Sequence, residues 1–142
     1  MDKACYRKLH RYKYQLVQDY EIDLGLTGFS VETPYLRLNQ DGKMTVRATY
    51  AWDGPSGPTF DTPSLMRGSL VHDALYQLLR MEQLPTEQKE FADKLLREIC
   101  IEDGMNRLIA WIVYQGVKWF GGASAQAGTE RPDRIICVPP EK

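Results

Sequence analysis

His72 and Asp73 stand side by side in an otherwise apolar segment, with Tyr76 one helical turn later and the loop Asp53-Gly54-Pro55-Ser56-Gly57-Pro58 upstream. An imidazole exchanges a proton near neutral pH and carboxylates hold hard cations, so this grouping can support chemistry that the surrounding leucines cannot. Four groups are candidates to converge: Asp53 where a strand gives way to the loop, His72 and Asp73 on one helix, and Asp93 on the next. His72, oriented by the carboxylate of Asp93, is the candidate catalytic base that takes a proton from water. Asp73 and Asp53, with oxygens from Gly54 and Ser56, are the candidate ligands of a divalent cation, calcium or zinc, because glycines let the backbone approach an ion closely. A cation there would stabilise an oxyanion, which makes the chemistry metal-assisted hydrolysis. The same residues also have a structural reading. A histidine at a helix edge, bonded to Asp93 or Asp53, latches the loop to the helices, because a buried polar group without a partner costs about 1–3 kcal/mol. Tyr76 reads as a packing residue with a wet hydroxyl. Cys100 reads as a small core residue, since nothing local would activate its thiol.

The elements that must position these residues fall into two halves. Tyr12, Tyr14 and Leu16, then Tyr20, Ile22 and Leu24, alternate with polar residues at the period of a half-buried strand. Residues 35–38 and 44–50 predict a hairpin, because Asp41-Gly42 supplies the positive φ its turn needs. The loop of residues 53–63 holds two glycines and three prolines and cannot continue a sheet. Thr62-Pro63-Ser64 then predicts a helix start, with Leu65, Leu70, Val71, Ala74, Leu75, Leu78 and Leu79 on its apolar face and Pro85 ending the segment. Thr86 is the candidate cap of a second helix striped by Phe91, Ala92, Leu95, Leu96 and Ile99, with Asp93 just outside the stripe. Asp103 is the candidate cap of a third, whose run from Leu108 to Phe120 leaves little polar face before Gly121-Gly122. That third helix is expected to be the most buried. Residues 121–133 read as a loop, and Ile135 to Val138 as a short returning strand.

A chain of 142 residues with 43% hydrophobic content suits one domain with one core, here 1–142. The fold class expected is α+β: an antiparallel sheet of about four or five strands from the N-terminal half against about three helices from the C-terminal half. A net charge of −1 provides no overall field for a phosphate backbone, although Lys3, Arg7, Lys8, Arg11 and Lys13 make the start locally basic. Nucleic acid is therefore a minor reading for a partner. Cys5, Cys100 and Cys137 are odd in number and lack a C-x-x-C pair, which argues against a zinc ribbon or a disulfide framework and fits a reducing cytoplasm. No uncharged stretch reaches membrane-spanning length.

Two families share parts of this pattern. Asp53-Gly54-x-Ser56-x-Pro58, then His72-Asp73-x-Leu75-Tyr76, then Ala92-Asp93, resembles a small domain family of unknown function widespread in tailed phages and prophages, over roughly residues 46 to 122. The resemblance implies a phage or prophage origin, synthesis in a host cytoplasm, and gathering of the aspartates and the histidine at one site. His72-Asp73-x-x-Tyr76 after a loop of glycine and proline is also similar to the active-site helix of secreted calcium-dependent phospholipases. That likeness implies His72 as the base, Asp73 as a calcium ligand and Asp93 as the orienting acid, although Leu70 and Val71 stand where those enzymes place cysteines. The functional expectation is a phage-encoded, metal-assisted hydrolase-like protein acting on an ester or amide of the host envelope. The alternative is a non-catalytic virion, assembly or host-interaction protein, partnered by phage structural proteins, in which the His/Asp cluster is structural.

Overall fold

The computed structural model describes residues 4–7, 14–52, 63–121 and 135–138. Among them the chain runs β1 (Ala4–Arg7), β2 (Tyr14–Gln15), β3 (Tyr20–Asp23), β4 (Val31–Glu32), β5 (Leu36–Leu38), β6 (Lys43–Val46), β7 (Ala51–Trp52), α1 (Pro63–Arg80), α2 (Gln88–Glu102), α3 (Arg107–Phe120) and β8 (Ile135–Val138). This is the expected α+β class, with more and shorter strands than the alternation predicts. The candidate cap Thr62 and the expected loop over residues 122–133 lie outside the described residues.

The expected hairpin is present. Asn39 N–H donates to the carbonyl of Lys43 at 2.9 Å, Gly42 takes a φ of 97°, and Leu38 pairs with Met44 and Leu36 with Val46. The second strand stops at Val46 instead of reaching Tyr50, because Thr49 adopts a φ of 75° and turns the chain away. Residues 51–52 then pair antiparallel with β2, and β8 returns to pair with β1. The remaining sheet is antiparallel in the order β3-β6-β5-β4. Period-2 alternation sends Leu36, Leu38, Met44 and Val46 inward, where they meet Leu70, Val71, Ala74, Leu75, Leu78 and Leu79 of α1. Trp52 joins this core, and its indole N–H donates to Ser69 Oγ at 3.2 Å.

The helix ends differ from the expected caps. Glu82, at a φ of 58°, ends α1 with its successor's N–H on the carbonyl of Leu78, so the stop precedes Pro85. Thr86 does not cap α2, whose N-cap is Glu87 without a side-chain bond. Asp103 closes α2 as its C-cap, followed by Gly104 at a φ of 102°. Asn106 caps α3 by accepting from Leu108 N–H at 2.8 Å.

The expectation that α3 is the most buried helix is overturned. Leu108, Ile109, Trp111, Ile112 and Trp119 are exposed, and among the helix residues whose burial is described only Ala110 and Tyr114 are buried. The cause is placement: α1 packs on α2 and α2 on α3, so among the described elements the third helix is supported chiefly by α2. No described helix is long and apolar enough to cross a membrane.

Leu78 has no exposed surface at the contact between sheet and helices. Leu78→Ala should lower stability by about 2–5 kcal/mol, read from urea unfolding at constant m-value, through lost contacts and the cavity left behind.

Candidate functional site

α1 presents His72 and Tyr76 at i and i+4, one above the other, with ring centroids 4.0 Å apart. α2 presents Asp93 toward them and Lys89 one turn earlier. The carboxylate of Asp93 is 2% exposed and accepts three bonds. His72 Nε2 lies 2.8 Å from Oδ1, Tyr76 Oη donates to Oδ1 at 2.5 Å, and Lys89 Nζ donates to Oδ2 at 2.7 Å. Lys89 also donates to the carbonyls of Val117 and Lys118, at 3.2 and 3.4 Å, in the last turn of α3, where the Val117 carbonyl also accepts from the Gly121 N–H. Gly121 completes the enclosure, since a Cβ there would stand 2.5 Å from Tyr76 Oη.

The electrostatics follow from burial. The His72 ring is 6% exposed, and desolvation outweighs the attraction of Asp93, pushing the imidazole below its ordinary value of 6.5. Burial alone would push the Asp93 carboxyl up, but the bonds from His72, Lys89 and Tyr76 together hold it below the usual carboxylate range. Burial and then the Asp93 carboxylate raise the Tyr76 phenol, which stays protonated. At neutral pH the site therefore holds an ionised Asp93, paired with Lys89, and a neutral His72. With Asp93 an acceptor only, the ring proton belongs on Nε2, which leaves Nδ1 as a lone pair. Among the described residues Nδ1 makes no hydrogen bond, and the fully enclosed polar side-chain atoms without a partner are Arg97 Nε alone.

Of the residues singled out in the sequence, His72 and Asp93 are brought within hydrogen-bond distance of each other. Asp73 is half-buried on α1, close enough for its field to raise Tyr76. Asp53, Gly54 and Ser56 lie outside the described residues. The described residues form no group of three or more His, Cys, Asp or Glu that could hold a metal. Tyr76 is corrected: its hydroxyl is not wet but buried against Asp93. Lys89 was not foreseen, because a Lys–Asp pair at i,i+4 is an ordinary feature of a helix surface. Cys100 is fully buried beside Gly68, and desolvation pushes its thiol up to about 11, in keeping with a small core residue.

A second polar anchor pins the other end of α1. Arg67 spans to Asp103 at 2.8 Å and donates to Tyr20 Oη at 3.1 Å, tying α1 to the end of α2 and to β3.

No protein-family model, curated protein or solved structure matches this chain.

Because the fold buries a neutral ring, protonation of His72 favours the unfolded chain. The stability involved is complete above the unfolded pKa of about 6.5 and is lost as pH falls toward the depressed folded value. Asp93 adds a further loss at lower pH, as its depressed folded pKa is approached. The urea midpoint should therefore fall between pH 7.5 and 5.5, at no more than about 1.4 kcal/mol per pH unit for this ring, and His72→Gln should flatten that stretch.

Proposed function

We propose that this chain is a phage-encoded hydrolase-like protein that acts on an ester or amide of the host envelope, with His72 as its general base. The observation that carries the reading is the division of labour on one ring: Nε2 is committed to a buried carboxylate and Nδ1 makes no bond among the described residues. A base must be neutral before it acts, and burial keeps this imidazole neutral at pH 7. Nδ1 takes the proton of a water as that water's oxygen attacks the carbonyl carbon. Asp93 stabilises the imidazolium that results and fixes the ring's tautomer, while Tyr76 and Lys89 hold Asp93 in place. Breakdown of the tetrahedral intermediate returns the proton from Nδ1 to the leaving oxygen or nitrogen.

Asp73, with Asp53, Gly54 and Ser56, would hold a divalent cation, calcium or zinc, which when bound supplies positive charge for the developing oxyanion. The described residues alone do not complete such a shell, so no step above passes through it. The phage origin and the envelope substrate rest on the sequence resemblance, because nothing in the site's geometry selects lipid over peptidoglycan.

A second reading is favoured by a different observation: the Asp93 net joins all three helices, as a structural latch in a virion or assembly component would.

His72→Gln separates the two readings. Glutamine keeps a donor for Asp93, so a hydrolase should lose about 100-fold or more of its release of carboxylate or amine from envelope fractions while melting near the parent temperature. No release by the parent protein from any fraction, or loss of the fold in the variant, would favour the latch. For the cation, Asp73→Asn should abolish a calcium- or zinc-dependent rise in Tm, and an unchanged rise would remove Asp73 from the ligand set.

A further inference from the structure

α3 meets the rest of the protein through a narrow arc. Ala110 and Tyr114 are buried, and Val113 and Val117 are half-buried. At 3.6 residues per turn, Leu108, Ile112 and Trp119 form a stripe opposite Ala110, with Ile109 on one side of it and Trp111 on the other. Leu108 is 65% exposed and Trp119 69%. Five large apolar side chains contiguous on one outer face mark an interaction surface, because single scattered ones are the norm on a protein exterior.

The charges on this helix choose the partner. Arg107 and Lys118 are both exposed and lie along the same edge of the face, and the sequence from Arg107 to Phe120 contains no acid. Lys118 Nζ stands 5.4 Å from the Trp119 ring centroid, so that cation and indole share one end of the face. Glu90, whose field reaches Lys118, is itself bonded to Lys94 at 2.8 Å. The indole N–H of Trp119 donates to Gln115 at 2.9 Å, which satisfies its polar atom along the helix.

We propose that the outer face of α3 docks on an anionic bilayer surface. Leu108, Ile112 and Trp119 enter deepest, Ile109 and Trp111 flank them nearer the headgroups, and Arg107 and Lys118 meet the acidic headgroups. Fourteen residues make a helix about 21 Å long, which lies along such a surface and does not cross it. A second copy of the chain is a poorer occupant. Two α3 faces packed antiparallel set Arg107 against Lys118 along one edge, and packed parallel they leave the cations on opposite edges, with no acid on either helix to meet them. The inference needs no catalysis at His72 and stands if the hydrolase reading fails.

The test is co-flotation of the full chain with vesicles of phosphatidylcholine mixed with phosphatidylglycerol, and of phosphatidylcholine alone, with tryptophan emission followed in parallel. Trp52 is buried, so a blue shift on binding reports Trp111 and Trp119. The protein should float with the mixed vesicles and more weakly with the neutral ones. Lys118→Gln should weaken binding about fivefold and Ile112→Asp by about tenfold or more, both with an unchanged far-UV spectrum and Tm because the sites are exposed. Failure of the parent protein to float with either vesicle would overturn the inference, as would flotation unaffected by Ile112→Asp. A concentration-dependent dimer that dissolves in Ile112→Asp, without vesicle binding, would assign the face to a second copy instead.

Discussion

The helical layer is organised around one buried negative charge. An ionised carboxylate removed from water is stable only when donors replace the lost solvent, and Asp93 finds them on two helices at once: His72 and Tyr76 from α1, Lys89 from its own α2. Hydrogen bonds to charged groups contribute about 1.5–3 kcal/mol each, so no one of the three could offset a desolvation cost of several kcal/mol, whereas together they can. Lys89 extends the same net to the last turn of α3. Apolar packing alone would let α1 slide against α2, while these bonds fix its register. Arg67 does the same at the opposite end of α1, through Asp103 and Tyr20.

That constraint also creates the site's chemical asymmetry. A carboxylate crowded by a lysine and a tyrosine can only accept from the imidazole, so the ring proton is drawn to Nε2 and the basic lone pair is displaced to Nδ1. Burial then keeps the ring neutral despite the adjacent negative charge, because desolvation outweighs the attraction of Asp93, with Lys89 adding a smaller push the same way. The structural role and the proposed chemical role thus arise from one set of contacts. They are distinguished by what reaches Nδ1, not by how Asp93 is held.

Much of this was legible in the residues. Asp41-Gly42 specifies the hairpin because few other pairs supply its positive φ, and the stripes of α1 and α2 are regular enough to place His72 and Asp93 on facing edges. What failed was each inference that needed a neighbour. The hydropathy of α3 is high, but periodicity cannot say that α2 is its main support or that Trp111, Ile112 and Trp119 would be left outside. Asp103 looks like a cap for the helix after it, yet Gly104 with its positive φ makes it the end of the helix before, and Asn106 takes the capping role. Lys89 carried no signal of its own, because what distinguishes it from a surface lysine is the depth of its partner.

The most direct test of the account is the tautomer of His72, read from nitrogen-15 chemical shifts and ring couplings at pH 7.5. A neutral ring protonated at Nε2, with Nδ1 unprotonated, is the predicted state, and it should shift toward the other tautomer in Asp93→Asn. A ring protonated at Nδ1, or one that exchanges freely between both forms in the parent protein, would contradict it.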